Sequence, residues 1–473
     1  MKHFLIGIIC FTTLIISTMN GCALYEPNQR EPEKRLLPAA FSIAPNQWDP
    51  ARRWWEAFDD PQLNTLIEEA LGHNFSLQQS WARLQQAQAL AVRSGATLYP
   101  DLTLGAGASS QRSQKTTAET VDRYSLGLTS SYEVDLWGRI RSGRQAALFS
   151  AMASREDLNT AAITLSANVA TRWIGIISQR MQKRLVKQQL EANLILQELV
   201  ELRFRKSLAS ALDVFQQRQL VEQARAQLPL VEQAERQQLN ELALLLGRTP
   251  FSLPQIQAQS IEIPDDLPST GLPVQLLTDR PDIRGAMQRL QAADWNVAAA
   301  RADRLPHINL SVGAAYQTDE LSLLFDNWLI DLAANMTAPL LDGRRRAAEV
   351  QRLQAVVTEN LAAYRQTILT AIREVEDALV SEVKLREHLK GLEAQLDAAQ
   401  KALNEARGRY RSGLSDYLPV VTQLLTVQNL ERTQIQRRAD VLTARVDLYR
   451  SLGGTWTDAL IQQAGDEGQE IEQ

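Results

Sequence analysis

The segment Arg344–Arg411, RRRAAEVQRLQAVVTENLAAYRQTILTAIREVEDALVSEVKLREHLKGLEAQLDAAQKALNEARGRYR, decides the fold. Its 68 positions hold no proline and only two glycines, Gly391 and Gly408, and Pro339 and Pro419 frame it. Apolar residues recur at Val350, Leu353, Val357, Leu361, Tyr364, Ile368, Ala371, Val375 and Ala378. Their steps of three and four average about 3.5, the repeat of a left-handed coiled coil. One unbroken helix of this length would run roughly 100 Å at ~1.5 Å per residue, about three times the hydrocarbon thickness of a bilayer. Arg352, Gln354, Glu359, Arg365, Gln366, Arg373 and Glu374 fill the other faces, so the helix is solvated. Such a helix spans a gap and does not wall a compact active site.

Working outward, the second half of the chain repeats the first. Leu102-Thr103-Leu104 matches Ile308-Asn309-Leu310, Arg203-Phe204 matches Arg409-Tyr410, and Leu246-Gly247 matches Leu452-Gly453, each 206 positions on. Gly138-Arg139 and Gly343-Arg344 lie 205 apart, so one residue has been lost nearby. Each half reads as helix, two strands, very long helix, tight turn and returning helix. The first repeat covers 61–247, with a β-hairpin at 101–134, a long helix at 139–207 and a return helix at 213–246, where Pro229 predicts a kink. A proline-dotted linker, 248–281, follows. The second repeat covers 282–453, with a hairpin at 307–339, a long helix at 344–411 and a return helix at 416–452, and a tail occupies 454–473.

The strands show a change of period. Leu102, Leu104, Ala106 and Ala108 alternate with small polar residues and glycine, as do Tyr124, Leu126, Leu128, Tyr132 and Val134 after a polar link from Arg112 to Asp122. Strands of ~10 residues with this alternation fit a transmembrane β-barrel, and a soluble hairpin on the side of a domain fits them equally well in isolation. At the N-terminus, Lys2 and an apolar run from Phe4 to Ile16 lead to Gly21-Cys22, a secretory signal peptide over 1–21. Residues 22–60 form a tether dotted with Pro27, Pro32, Pro38, Pro45 and Pro50, and Asp60-Pro61 is a helix start with an N-cap and proline at N1.

Composition excludes several classes of function. The 473 residues are 45% hydrophobic and 22% charged, with net charge −5 and no basic patch interleaved with aromatics, against a nucleic-acid binder. Cys10 and Cys22 are the only cysteines, so no disulfide, zinc ribbon or cysteine nucleophile exists beyond residue 22. His3, His73, His307 and His388 are scattered without metal-ligand spacing, and Gly105-Ala106-Gly107 precedes no helix. No enzyme, metal site or cofactor is expected. The architecture makes its own demand: four membrane strands leave open edges that lipid cannot satisfy. Strands from several copies must be pooled, in multiples of four, and the long helices must bury their seams against neighbours.

These features together resemble the TolC-type outer-membrane factors, in the lipoprotein branch that serves resistance–nodulation–division (RND) efflux pumps. The likeness covers Cys22 to about Trp456. It rests on Met19-Asn20-Gly21-Cys22, which is similar to a lipobox, on Trp54-Trp55-Glu56-Ala57-Phe58-Asp59-Asp60-Pro61-Gln62-Leu63, and on Leu276-Leu277-Thr278-Asp279-Arg280-Pro281-Asp282-Ile283. It also rests on Pro339-Leu340-Leu341-Asp342-Gly343-Arg344 and the paired turns at 203–213 and 409–419. The resemblance implies a mainly α fold with a small transmembrane β part: a homotrimer whose 12-stranded β-barrel, four strands per chain, continues into an α-helical barrel across the periplasm. It implies an exit duct in the bacterial outer membrane, opened at its periplasmic tip by an adaptor (membrane-fusion) protein and served by an inner-membrane RND transporter. Cys22 would carry covalent lipid, including palmitate, although Met19 and Asn20 depart from the usual lipobox, and ordinary cleavage near Gly21 is the plain alternative. The linker and the tail would lie near an equatorial girdle.

By the same resemblance, Ser207, Leu208, Ser210, Gly413, Leu414 and Ser415 would meet the adaptor. Ser210 and Asp213 also have capping-box spacing. A periplasmic gate of inward-facing polar groups would draw on Asp213, Asp416, Tyr417 and Thr422, with surface charge and helix capping as the competing account. Three other functions share parts of this pattern: the outer-membrane component of a type I secretion system, a periplasmic coiled-coil adaptor lipoprotein, and a non-membrane lipoprotein with coiled-coil arms.

Overall fold

The computed structural model describes residues 25–27, 30–42, 49–115, 117–252, 256–258, 260, 262–264, 266 and 270–459, with side chains for all of these except 113–120. The signal segment 1–21, Cys22 and most of the tail 454–473 lie outside the described residues. The elements are α1 (Pro61–His73), α2 (Phe75–Ala96), β1 (Asp101–Lys115), β2 (Thr117–Val134), α3 (Arg139–Arg205), α4 (Ala211–Leu245), α5 (Pro281–Ala302), β3 (His307–Thr318), β4 (Trp328–Thr337), α6 (Arg345–Arg411) and α7 (Leu418–Leu452). Both long helices, α3 and α6, contain 67 residues, and both return helices contain 35. Pro229 sits inside the unbroken helix α4.

Several boundaries move by a few residues. Helix α3 stops at Arg205 and not at 207, α4 runs from Ala211 to Leu245 and not over 213–246, and β4 ends at Thr337 and not at 339. Helix α6 begins at Arg345 and not at 344, and α7 begins at Leu418 and not at 416, with Pro419 in its first turn. The polar stretch from Arg112 to Asp122, expected as a link, is strand: β1 and β2 pair continuously from Asp101↔Ser131 to Lys115↔Thr117. A ladder is built by backbone groups and asks for no apolar face, and Thr117, Thr120 and Val121 favour extended backbone.

The described chain forms two compact units that cut across the repeats. One comprises Ala82–Glu156 and Arg284–Thr367 with the N-terminal stretch up to Glu33. It holds one antiparallel sheet, ordered β1-β2-β3-β4, so β1 and β4 are open edges. Register aligns the apolar residues in rows: Leu104 pairs with Leu128, Leu128 with Ala314 and Ala314 with Ile330. The neighbouring row runs Ala106, Leu126, Tyr316, Trp328. Directly paired residues share a face of the sheet, so one face is apolar across all four strands. The other carries Gly105, Thr103, Thr129, Gly313 and Asp331. Leu104, Ile330, Leu332 and Met336 are exposed, an uncovered apolar surface of the kind that lipid or another subunit covers. Among the described residues no helix is long and apolar enough to cross a membrane.

The other unit comprises Lys34–Trp81, Asp157–Ile283 and Ile368 onward. The duplication is visible in its backbone. Gly247 has φ +71, and a Cβ there would lie 2.4 Å from the His73 carbonyl oxygen. Gly453 has φ +81, and its Cβ would lie 2.6 Å from the Asp279 carbonyl oxygen. Asn74 donates to the Leu245 carbonyl at 2.9 Å, and Arg280, 206 positions on, donates to the Ser451 carbonyl at 2.8 Å. The same joint is thus built twice, with an amide in one half and a guanidinium in the other. Arg280 also bonds Asp282 and Glu374. Trp54 stacks on Tyr449 (centroids 5.6 Å) and Trp55 meets Trp456 edge-on (4.8 Å), fastening the N-terminal segment to the C-terminal one. Asp60 caps α1 by accepting from the Leu63 N–H at 2.8 Å.

Candidate functional site at the hairpin tips

Both long helices end the same way. In the first tip the Leu208 N–H reaches the Arg203 carbonyl (2.8 Å) and the Ser207 N–H reaches Phe204 (2.9 Å). In the second, Leu414 bonds Arg409 (2.9 Å) and Gly413 bonds Tyr410 (3.1 Å). The six-to-one bond around a left-handed residue is a Schellman stop. The left-handed positions are Ser207 (φ +59) and Gly413 (φ +71). Glycine adopts that backbone freely, whereas an L-residue is strained by about 1–2 kcal/mol.

The return helices begin differently. Ser210 and Asp213 form a reciprocal capping box: the Ser210 N–H donates to Asp213 Oδ2 at 3.0 Å, and the Asp213 N–H donates to Ser210 Oγ at 3.2 Å. At the second tip Tyr417 occupies the N-cap without a side-chain cap bond. Its ring instead turns into the core formed by Val200, Leu220, Leu403, Tyr410, Val420 and Leu424. Tyr410 and Tyr417 lie 4.9 Å apart between centroids, and the Arg203 guanidinium covers the Tyr410 ring at 4.6 Å.

A buried polar ladder runs behind this core. Tyr417 Oη donates to Gln217 Oε1 (2.7 Å), Gln217 Nε2 donates to the Asn193 carbonyl (2.7 Å), and Gln428 Nε2 donates to Asn193 Oδ1 (2.9 Å). Gln189 continues it to Glu431 at 2.9 Å. Burial, with Tyr410 alongside, pushes the Tyr417 phenol far above its ordinary range, so it remains a neutral donor. Burial and the neighbouring Arg411 push the Arg407 guanidinium down.

Of the residues singled out in sequence, Ser207, Leu208, Ser210, Gly413 and Leu414 are exposed, and Ser415 is half-buried. Asp416 is exposed, Tyr417 is buried, and exposed Thr422 donates its hydroxyl to the Leu418 carbonyl of its own helix. Gln217, Asn193 and Gln428 escaped the sequence reading. Asn193 and Gln189 left a signal, a polar interruption of a 3.5 stripe: Val186, Gln189, Asn193, Leu196 and Val200 follow steps of three and four. Among the described residues no group of His, Cys, Asp and Glu could hold a metal ion.

Comparison with known proteins places this geometry. The chain is 36% identical over 436 residues to the pyoverdine export outer membrane protein OpmQ of Pseudomonas aeruginosa, covering 87% of this chain and 91% of that one. It is 28% identical over 469 residues to the probable outer membrane lipoprotein SilC of Salmonella typhimurium, covering 96% of this chain and 100% of that protein. The solved outer-membrane channel OprN superposes with a TM-score of 0.85 at 28% identity, covering 92% of this chain and 100% of that one. Two helical hairpins and a four-stranded sheet thus form a channel fold and not that of a single-hairpin adaptor. The model of the family described as outer membrane efflux protein matches twice, over 66–248 and, 206 positions on, over 272–454. The chain therefore belongs to the outer membrane efflux proteins, and it is an outer-membrane channel of an efflux pump.

Proposed function

We propose that three copies of this chain close into one duct, each giving four strands to a twelve-stranded barrel and two helical hairpins to a periplasmic tunnel. The observation that carries this is the pair of open sheet edges, β1 and β4, on a sheet with one continuous apolar face. In lipid every backbone N–H and C=O must be paired, and four strands cannot close on themselves. The duct conducts passively and performs no chemistry. An adaptor protein engages the tips at Ser207, Leu208, Ser210, Gly413, Leu414 and Ser415, an inner-membrane RND transporter supplies the cargo, and the repeat and linker boundaries mark the parts of the tunnel.

The constriction belongs at the same tips. Asp213, Asp416, Tyr417 and Thr422 are its polar candidates, with Tyr417 acting through Gln217 and not from the bore. Cys22 carries the lipid, a reading supported by the lipoprotein name of SilC. Planar-bilayer conductance tests the duct: small currents from the intact protein and large ones after the Ser207–Ser210 and Gly413–Ser415 turns are altered are the expected result. A protein that migrates only as a monomer before heating, and never conducts, overturns it. The mass of the N-terminal peptide, compared with Cys22→Ser, reports the acyl chains.

A further inference from the structure

At the helix-bearing end of the sheet β1 and β3 begin and β2 and β4 end, and arginines gather there. Three are answered by acids: Arg139 by Glu133 (2.7 Å), Arg141 by Asp135 (3.2 Å) and Arg346 by Asp303 (2.9 Å). Arg301, Arg304, Arg344 and Arg345 are exposed and have no carboxylate partner among the described residues. Two of them stand where a helix disfavours them. Arg344 and Arg345 sit at the start of α6, the positive end of its dipole. At the matching start of α3, Glu133 answers Arg139 and Asp135 answers Arg141. Helix α6 repeats the second pairing as Asp342 with Arg346 and leaves Arg344 and Arg345 without one among the described residues. Helix stability therefore does not account for the second set.

Leu340 and Leu341, 90% and 98% exposed, precede them across Asp342 and Gly343, and the Asp342 carboxylate is taken up by the Arg346 N–H and guanidinium. Two bare leucines and, after two intervening residues, two bare guanidiniums form an interfacial pattern: apolar side chains enter acyl chains while the cations meet phosphates. At the opposite end the β3–β4 loop carries Asp319, Glu320 and Asp326 and no basic residue, while the β1–β2 tip carries Lys115. The tether gives an independent mark of level. Tyr25, Glu26 and Pro27 lie in a cleft with Arg301, and Arg30 bonds Asp294 of α5 at 2.5 Å. Cys22 precedes Tyr25 by three residues, a reach of ~10 Å at most, so an acyl chain on it would enter the bilayer beside this arginine group.

We propose that Leu340–Leu341 with Arg301, Arg304, Arg344 and Arg345 bind anionic phospholipid headgroups of the inner leaflet of the outer membrane, fixing the depth of the barrel. The inference rests on the outer-membrane placement of the chain; the depth marked by an acylated Cys22 agrees with it and is not required. The test uses the full-length protein reconstituted in vesicles of phosphatidylethanolamine and phosphatidylglycerol, extracted, and weighed with its retained lipids by native mass spectrometry. Wild type should retain phosphatidylglycerol over phosphatidylethanolamine by roughly fivefold or more relative to the bulk ratio. Replacing all four arginines with glutamine should abolish the preference, and replacing all four with lysine should keep most of it. Leu340→Ser/Leu341→Ser should weaken retention of both lipids.

A control that removes four other cations (Arg373, Lys384, Lys390 and Lys401 to glutamine) should retain the preference, as should Cys22→Ser after losing its acyl mass. Equal retention of the two lipids by wild type overturns the proposal, as does an undiminished preference in the glutamine variant. Displacement of the bound lipid by millimolar glycerol 3-phosphate would point to a free-anion site and also overturn it.

Discussion

Positions 176 and 239 hold Ile176 and Leu239, both buried, while the positions 206 further on hold Glu382 and Arg445, buried to the same degree. Arg445 Nη2 lies 2.5 Å from Glu382 Oε1. An apolar pair asks nothing of its surroundings. A buried ion pair must have its remaining donors and acceptors answered, and here the linker supplies the answers. Arg445 donates to the Asp266 carbonyl at 2.5 Å, and Arg386, which also bonds Glu382, donates to the Pro264 carbonyl at 2.6 Å. The two halves thus share the long-helix scaffold and differ at these positions, where the second half holds the clasp for the inter-repeat segment.

Removing one partner of that clasp is the largest single blow expected. Glu382→Ile or Arg445→Leu alone leaves a buried charge without its mate and should cost about 3–5 kcal/mol. The double variant installs the first half's chemistry in the second and should recover most of the loss, read as the urea midpoint of the detergent-solubilised protein. If the double variant is as damaged as the sum of the singles, the pair does not act as a unit. The glycine joints test what duplication conserved. Gly247→Ala and Gly453→Ala each add left-handed strain of about 1–2 kcal/mol and an overlap with a carbonyl oxygen. The two should lower stability by similar amounts, and a large difference would mean that only one joint bears on folding.

Tyr417 separates the halves again, since the matching residue is Ala211. Tyr417→Phe strands the buried Gln217 Oε1 and should cost about 1–3 kcal/mol. The pH dependence has a definite sign. Burial raises the folded-state pKa of the phenol above its unfolded value of about 10. Its contribution is therefore complete below that pH and is lost as pH rises from there toward the folded value. Stability should fall above pH ~10, less steeply in Tyr417→Phe. Identical slopes for the two proteins would remove the tyrosine from the account.

Helix lengths, the 206-residue offset and the apolar alternation of β1 and β2 were legible because each is periodic, and periodicity survives in one dimension. The polar continuation of β1 and β2 past Arg112 was not legible, because backbone pairing writes no side-chain pattern there. Ser207 and Gly413 could be matched by offset, and the Ser210–Asp213 box could be read from spacing. Tyr417 could be named as polar and near the turn, but its burial against Gln217 depends on four helices meeting, which no local signal encodes. The ladder of Gln189, Asn193, Gln217 and Gln428 was hidden for the same reason: a polar residue on a coiled-coil stripe has a partner only in three dimensions.

The smallest expected effect is also the cleanest, because it exchanges the tips without touching the core. Ser207 and Gly413 occupy the same left-handed position of the same Schellman stop, and both are exposed. Ser207→Gly relieves strain while adding unfolded-state freedom, so the net gain should be under about 1 kcal/mol. Gly413→Ser should lose a comparable amount. Amide hydrogen exchange at Leu208 and Leu414 isolates the effect, since those N–H groups close the two stops. Ser207→Gly should slow exchange at Leu208 and leave Leu414 unchanged, and Gly413→Ser should do the reverse at its own tip. Were both amides to respond to either change, the tips would open as one unit through the shared Tyr410–Tyr417 core. The asymmetry of the turns would then be a matter of surface contacts and not of local backbone stability.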